Sequence, residues 1–160
     1  MSNLNTLWAE LAIETLVANG VRYFCISPGS RSTPLTLAAS KHPDAVCRVI
    51  HDERGAAFHA LGYARVSGQP AALICTSGTA VANYFPAVIE AAQDLVPLVV
   101  LSADRPPELR DCGANQTIQQ QEIFGDYVRA FVELPVPQSR LSPRYVVTRI
   151  EHALFRSRAL

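Results

Sequence analysis

The sequence predicts an α/β domain built on a doubly wound, mainly parallel sheet with helices on both faces. Three observations predict it. Four short runs, YFCI (23–26), CRVIH (47–51), AALIC (71–75) and LVVLS (98–102), are rich in apolar and β-forming residues without strict alternation, as strands covered on both faces are. Segments long enough for helices of about ten to fifteen residues separate them, the rhythm of strand–helix–strand units. Polar stretches rich in Ser, Thr, Gly and Pro follow the runs, where such a sheet carries its functional loops.

Each element has a local reason. Leu7, Leu11, Ile13, Leu16 and Val17 recur at helical spacing and the segment closes on Asn19-Gly20, giving a first helix over residues 4–18. Tyr23–Ile26 is a strand that must end at Ser27-Pro28-Gly29, because this turn chemistry cannot continue it. The pattern then gives a helix over 34–41, a strand over 47–51, a helix over 54–67, a strand over 71–75, a helix over 79–92 and a strand over 98–102. A polar stretch runs to Gln121, followed by a last strand over 129–134 and a helix over 143–157. No repeat, low-complexity tract or linker divides the chain, so one domain is expected over 1–160.

Composition narrows the function. With 49% hydrophobic and 18% charged residues in 160, the chain can bury a core. Fourteen basic residues balance fourteen acidic ones, so no basic field exists to hold nucleic acid or an anionic membrane. Only Lys41 among the bases is a lysine, and the arginine bias suits planar recognition of carboxylates as well as general solubility. Cys25, Cys47, Cys75 and Cys112 show no metal-ligand spacing, and three of them sit in apolar runs, which speaks against a zinc site or a disulfide scaffold. The N-terminal segment has neither the basic start of a signal peptide nor an apolar stretch of membrane-spanning length, so a cytoplasmic protein with no membrane insertion is expected.

Four loops should share one rim at the carboxyl ends of the strands: SPGSRSTP (27–34), HDERGAAF (51–58), TSGTA (76–80) and SADRPPELRDCGANQ (102–116). The first combines hydroxyls, backbone amides and Arg31 before a helix; it is either an anion cradle or a turn with a Ser/Thr cap. Asp52 and Glu53 begin a helix, and since both cannot cap it in the same way, one is left to face a cleft. His51 and His59 read as packed or solvated. TSGTA lets a ligand approach the backbone, but it is not a nucleophile elbow, and no His–acid pair stands ready to activate Ser77. The eight glycines are scattered, with no dinucleotide or Walker motif. The fourth loop is either a solvated excursion or a binding loop, in which Asn115 and Gln116 could donate to and accept from a hydroxylated or carboxylated substrate.

Four segments, ISPGSRSTPL (26–35), HDERGAAFHALGYAR (51–65), TSGTAVANYFPAVIEA (76–91) and LSADRPPELRDCGANQTIQQ (101–120), carry a family resemblance. Together they resemble the N-terminal, pyrimidine-binding domain of the thiamine-diphosphate-dependent 2-succinyl-5-enolpyruvyl-6-hydroxy-3-cyclohexene-1-carboxylate synthases of menaquinone biosynthesis, over essentially the whole chain. TSGTA with an upstream Glu is shared across thiamine-diphosphate enzymes, whereas SPGSRSTPL with SADRPPELRDCGANQT is far more specific.

The resemblance implies a transferase reaction in which 2-oxoglutarate loses carbon dioxide on the cofactor and the succinic-semialdehyde unit adds to isochorismate. It implies that Glu53 is catalytic, bonding the aminopyrimidine ring nitrogen of the cofactor and thereby promoting loss of the thiazolium proton. It places Ser77, Gly78 and Thr79 near the pyrimidine, and gives Ser30, Arg31, Arg105, Asn115 and Gln116 to the substrates. Members continue into a middle domain and a diphosphate-binding domain whose Gly-Asp-Gly motif ligates magnesium, both absent here. The expectations are therefore a fragment or separately expressed domain, inactive alone, with no metal ligands of its own for Mg2+ or Mn2+, within a homodimer or tetramer. Two other readings remain: the small subunit of a split thiamine-diphosphate 2-oxo-acid decarboxylase, and a non-catalytic carboxylate-binding or oligomerisation module.

Overall fold

Four strands, β1 (Tyr23–Ile26), β2 (Val46–Val49), β3 (Ala71–Cys75) and β4 (Leu98–Ser102), pair in the order β2–β1–β3–β4, every pair parallel. The computed structural model describes residues 3–158; the first two and last two residues of the expected domain lie outside it. In register, Phe24 stands between Cys47 and Ala72, and Ile74 beside Leu101. Alternate residues of the inner strands feed two cores. Phe24, Ile26, Ala72 and Ile74 pack with α1 (Leu4–Ala18), α2 (Thr33–Lys41) and α6 (Pro143–Arg158). Cys25, Leu73 and Cys75 pack on the other face with α3 (Glu53–Ser67), α4 (Thr79–Ala82) and α5 (Phe85–Gln93). Helices thus cover both faces of a parallel sheet, the fold class expected from the sequence.

Burial of the cysteines has a chemical consequence. Desolvation pushes the Cys25 thiol up to about 11 and the Cys75 thiol up to about 12, so both stay neutral and act as small core residues.

Helix ends follow the expected chemistry. The Asn3 side chain accepts from the Asn5 amide to cap α1, and Gly20, at φ 86°, turns the chain into β1. β2 covers 46–49, shifted slightly from the expected 47–51. The expected helix over 79–92 is two helices. Pro86 has no N–H to continue the ladder from α4 but fits the first turn of a new helix, and the chain restarts at Phe85. Tyr84 fills the break, its hydroxyl donating to the Ile74 carbonyl at 3.2 Å beneath the sheet end.

The strand expected over 129–134 does not form. Residues 128–137 run without a ladder and are tied by side chains instead: Arg129 donates to the Ser157 carbonyl, and the Glu133 carboxylate receives Arg110 and Gln121. A groove of about 1240 Å3, lined by residues such as Trp8, Val99, Phe131 and Ile150, borders both β4 and this segment. RAFVEL holds the β-forming residues Phe131 and Val132, but a strand requires a neighbouring edge, and Pro135 and Pro137 end the segment.

The loops leaving β1 and β3 touch. A Cβ added to Gly29 would lie 2.3 Å from the Thr76 Cβ, so absence of a side chain is what allows this approach. Gly29→Ala is expected to destabilise the chain by roughly 1–3 kcal/mol through overpacking. Urea denaturation measures it, and an alanine variant as stable as the parent would mean that the loops do not meet this closely.

Candidate functional site

The chain passes from β1 to β2 on one side and, after β2, to β3 on the other, so β1 and β3 flank the switch point of a doubly wound sheet. Backbone bonds carry the pairing one residue past the strands: Ser27 N donates to Ile74 O at 2.8 Å, Ile50 N to Ile26 O at 3.0 Å, and Ala103 N to Cys75 O at 3.0 Å. The four loops therefore start from one fixed rim.

At the β2 exit the two acids take separate tasks. Asp52 caps α3, its Oδ1 accepting from the Gly55 amide at 3.0 Å, and this bond first, with Arg54 beside it, holds the Asp52 carboxyl below the usual carboxylate range. Glu53, the first residue of α3, is left half-buried, and its carboxylate has no hydrogen-bond partner among the described residues. Burial first, with the Glu53 charge as a lesser cause, raises the Cys75 thiol at the end of β3 and the Tyr84 hydroxyl at the break between α4 and α5.

At the β1 and β3 exits the side chains interlock. Arg31 Nη1 donates to Gln116 Oε1 at 2.9 Å, and Gln116 Nε2 donates to the Ser77 carbonyl at 3.0 Å. Ser77 Oγ in turn donates to the Gln116 carbonyl at 3.0 Å. Arg105 Nη1 reaches the Asn115 carbonyl at 3.2 Å. Gly78 adopts φ 85°, ψ −146°, a conformation that side chains avoid, and a Cβ there would stand 3.0 Å from Gln116 Cγ. Arg31, Ser77, Gly78, Arg105, Asn115 and Gln116 are thus brought into one linked set. Ser30 stands exposed beside Arg31 on a 3-10 turn, and Thr79 is exposed at the start of α4; neither side chain bonds to this set.

The fourth loop is anchored rather than free. Arg110 Nη2 bonds Asp104 Oδ2 at 3.0 Å and Glu133 Oε1 at 2.6 Å, fastening the excursion to the 128–137 segment. His59 bonds the Tyr23 hydroxyl at 2.8 Å, at the amino end of β1 and away from the rim, while His51 is exposed.

Sequence reasoning missed Gln120. Its side chain is buried, with Oε1 accepting from Gly78 N at 2.7 Å and Nε2 donating to Ala103 O at 3.0 Å. Nothing local distinguishes it within the run Gln119-Gln120-Gln121; its neighbours bond each other at the surface.

The geometry suits the pyrimidine half of thiamine diphosphate. A half-buried carboxylate with no hydrogen-bond partner among the described residues can take a ring N–H. Among the described residues no group of three or more His, Cys, Asp or Glu is placed to share a metal ion.

Residues 8–128 match the family model for the thiamine pyrophosphate enzyme, N-terminal TPP binding domain, thiamine pyrophosphate and thiamine diphosphate being one cofactor. The chain is 54% identical over 154 residues to the 2-succinyl-5-enolpyruvyl-6-hydroxy-3-cyclohexene-1-carboxylate synthase of Pelodictyon phaeoclathratiforme, covering 96% of this chain and 26% of that protein. It is 58% identical over 151 residues to the synthase of Chlorobium limicola, with 94% and 26% covered. Against the Chlorobaculum tepidum synthase the identity is 55% over 157 residues, with 98% and 27% covered. The chain spans about a quarter of the length of the curated relatives it matches.

The Arg110–Glu133 anchor gives a pH-dependent contribution. Arg110 first, and Gln121 with it, holds the Glu133 carboxyl below its ordinary 4.5. The stabilisation is complete above that unfolded value and is lost as the pH falls through the lower folded one. Since the Glu133 side chain is 41% exposed, solvent screens the pair and the contribution is about 0.2–1 kcal/mol. Glu133→Gln should remove that increment at pH 6 and leave stability at pH 3 nearly unchanged in urea denaturation; an equal loss at both pH values would contradict the ionic anchor.

Proposed function

The chain belongs to the thiamine pyrophosphate enzymes, as their N-terminal TPP-binding domain, and on that premise we propose that it is the pyrimidine-binding part of a 2-succinyl-5-enolpyruvyl-6-hydroxy-3-cyclohexene-1-carboxylate synthase. In this reading the whole enzyme decarboxylates 2-oxoglutarate and transfers the remaining unit to isochorismate. Similarity above 50% along nearly the whole chain to synthases of that name supports the reaction. The observation that carries the residue assignment is the Glu53 carboxylate, half-buried at the β2 exit and relieved of capping by Asp52.

Bound thiamine diphosphate supplies the electron sink for decarboxylation. Glu53 holds a proton against the pyrimidine ring nitrogen and so sets the tautomer of the aminopyrimidine. Ser77, Gly78 and Thr79 line the site beside the ring, with the Gln116 side chain packed against the Gly78 turn. Arg31 and Arg105 bind substrate carboxylates, with Ser30, Asn115 and Gln116 bonding their carboxyl and hydroxyl groups. In this reading catalysis also needs a diphosphate-binding part and a divalent metal such as Mg2+ held by it; the pyrimidine-binding part by itself turns nothing over, and the working enzyme is a homodimer or tetramer. No helix among the described residues is long and apolar enough to cross a membrane; the reading places the enzyme in the cytoplasm.

In the full-length protein carrying this domain, Glu53→Gln is expected to lower turnover of 2-oxoglutarate and isochorismate by about 100-fold or more, with the melting temperature unchanged. Mixing this chain with the separately produced remainder should restore activity that neither has alone. Undiminished turnover in the variant would remove Glu53 from the chemistry, and an inactive parent enzyme would remove the reaction.

A further inference from the structure

We propose that Gln120 is a positioning residue for substrate binding: it fixes the Gly78 turn, and through it the Gln116 amide that orients Arg31. Gln120 is only 7% exposed, and both ends of its amide are engaged. Oε1 accepts from Gly78 N at 2.7 Å, while Nε2 donates to Ala103 O at 3.0 Å and reaches Ser102 Oγ at 3.4 Å. The amide cannot be turned over, because that would set its NH2 against the Gly78 N–H and its oxygen against the Ala103 carbonyl. It therefore ties the β3 exit to the β4 exit in one orientation.

What it holds is the turn that grips Gln116. Ser77, next to Gly78, accepts from Gln116 Nε2 through its carbonyl and donates to the Gln116 carbonyl through its hydroxyl. The Gln116 side chain packs into the space a Gly78 Cβ would take, 3.0 Å from its Cγ, and its remaining polar atom, Oε1, receives Arg31. Gln120 bonds neither Gln116 nor Arg31; it acts on them through the buried Gly78 amide. Loss of its acceptor would leave that N–H unpaired, and the turn would move to recover a partner. Gln116 would move with it.

This rests on the proposed reaction only for its kinetic readout. In the full-length enzyme, Gln120→Met keeps the volume and removes both bonds, and it should raise by about tenfold the KM of whichever carboxylate substrate Gln116→Ala weakens. Because the two residues lie on one chain of contacts, the double variant should be no worse than the poorer single one. Effects that multiply to about a hundredfold, or a lower kcat at unchanged KM, would reduce Gln120 to general stability and overturn the proposal. A measurement without mutation or turnover stands beside it. In the unmutated protein the Gly78 amide should exchange with deuterium at least a hundredfold more slowly than the exposed amides of residues 111–113. Exchange as fast as theirs overturns the proposal even if the enzyme or the variant proves inactive.

Discussion

Five consecutive residues of β3, Ala71–Cys75, have no contact with water on either face. A backbone so placed must find every hydrogen bond inside the sheet and every side chain must find a packing partner, so β3 dictates the rest. Its ladder is completed by β1 on one side and β4 on the other. Its faces are covered by helices that come close because their contact residues are small: Ala56, Ala57, Ala60 and Ala64 of α3, and Ala87 of α5. The larger residues of α1, among them Trp8, Ile13 and Leu16, fill the opposite side. Single core changes on either face would be felt because such interiors leave little room to relax.

The same sheet decides where chemistry can occur. Parallel pairing brings all carboxyl ends to one rim, and the reversal of strand order at β1 opens the crevice there. The crevice is then stiffened by short-range devices: the Gly29–Thr76 approach, the Asp52 cap, the interlock of Ser77 with Gln116, and the Arg110 anchor. Asp52 matters in this scheme because a capping carboxylate is committed to backbone amides, and its commitment leaves the next carboxylate available for a ligand.

Much of this was legible in the sequence because parallel strands buried on both faces are written as apolar runs and because turn residues are chemically distinctive. β1, β3, β4 and the ends of α1 were readable for that reason. The break at Tyr84 was hidden, since apolar residues continue through it and Pro86 is compatible with a helix whose first turn contains it. Residues 129–134 misled because β-forming residues report a local preference, whereas strand formation depends on a distant edge. At the site, Gly78, Arg31, Gln116 and their neighbours stood in loops with recognisable chemistry. Gln120 did not, because its importance lies entirely in what is 42 residues away along the chain.

The Arg31–Gln116 bond has a consequence for selectivity. The guanidinium is not bare: one of its donors is already occupied by an amide oxygen of the protein. A guanidinium carries several further donors in one rigid plane. The Gln116 amide therefore holds Arg31 by one edge and sets the plane in which the others point, and since the amide is itself tied to Ser77 that plane is fixed by the fold before any acceptor arrives. A planar acceptor lying in that plane can meet two donors at once, a point acceptor only one.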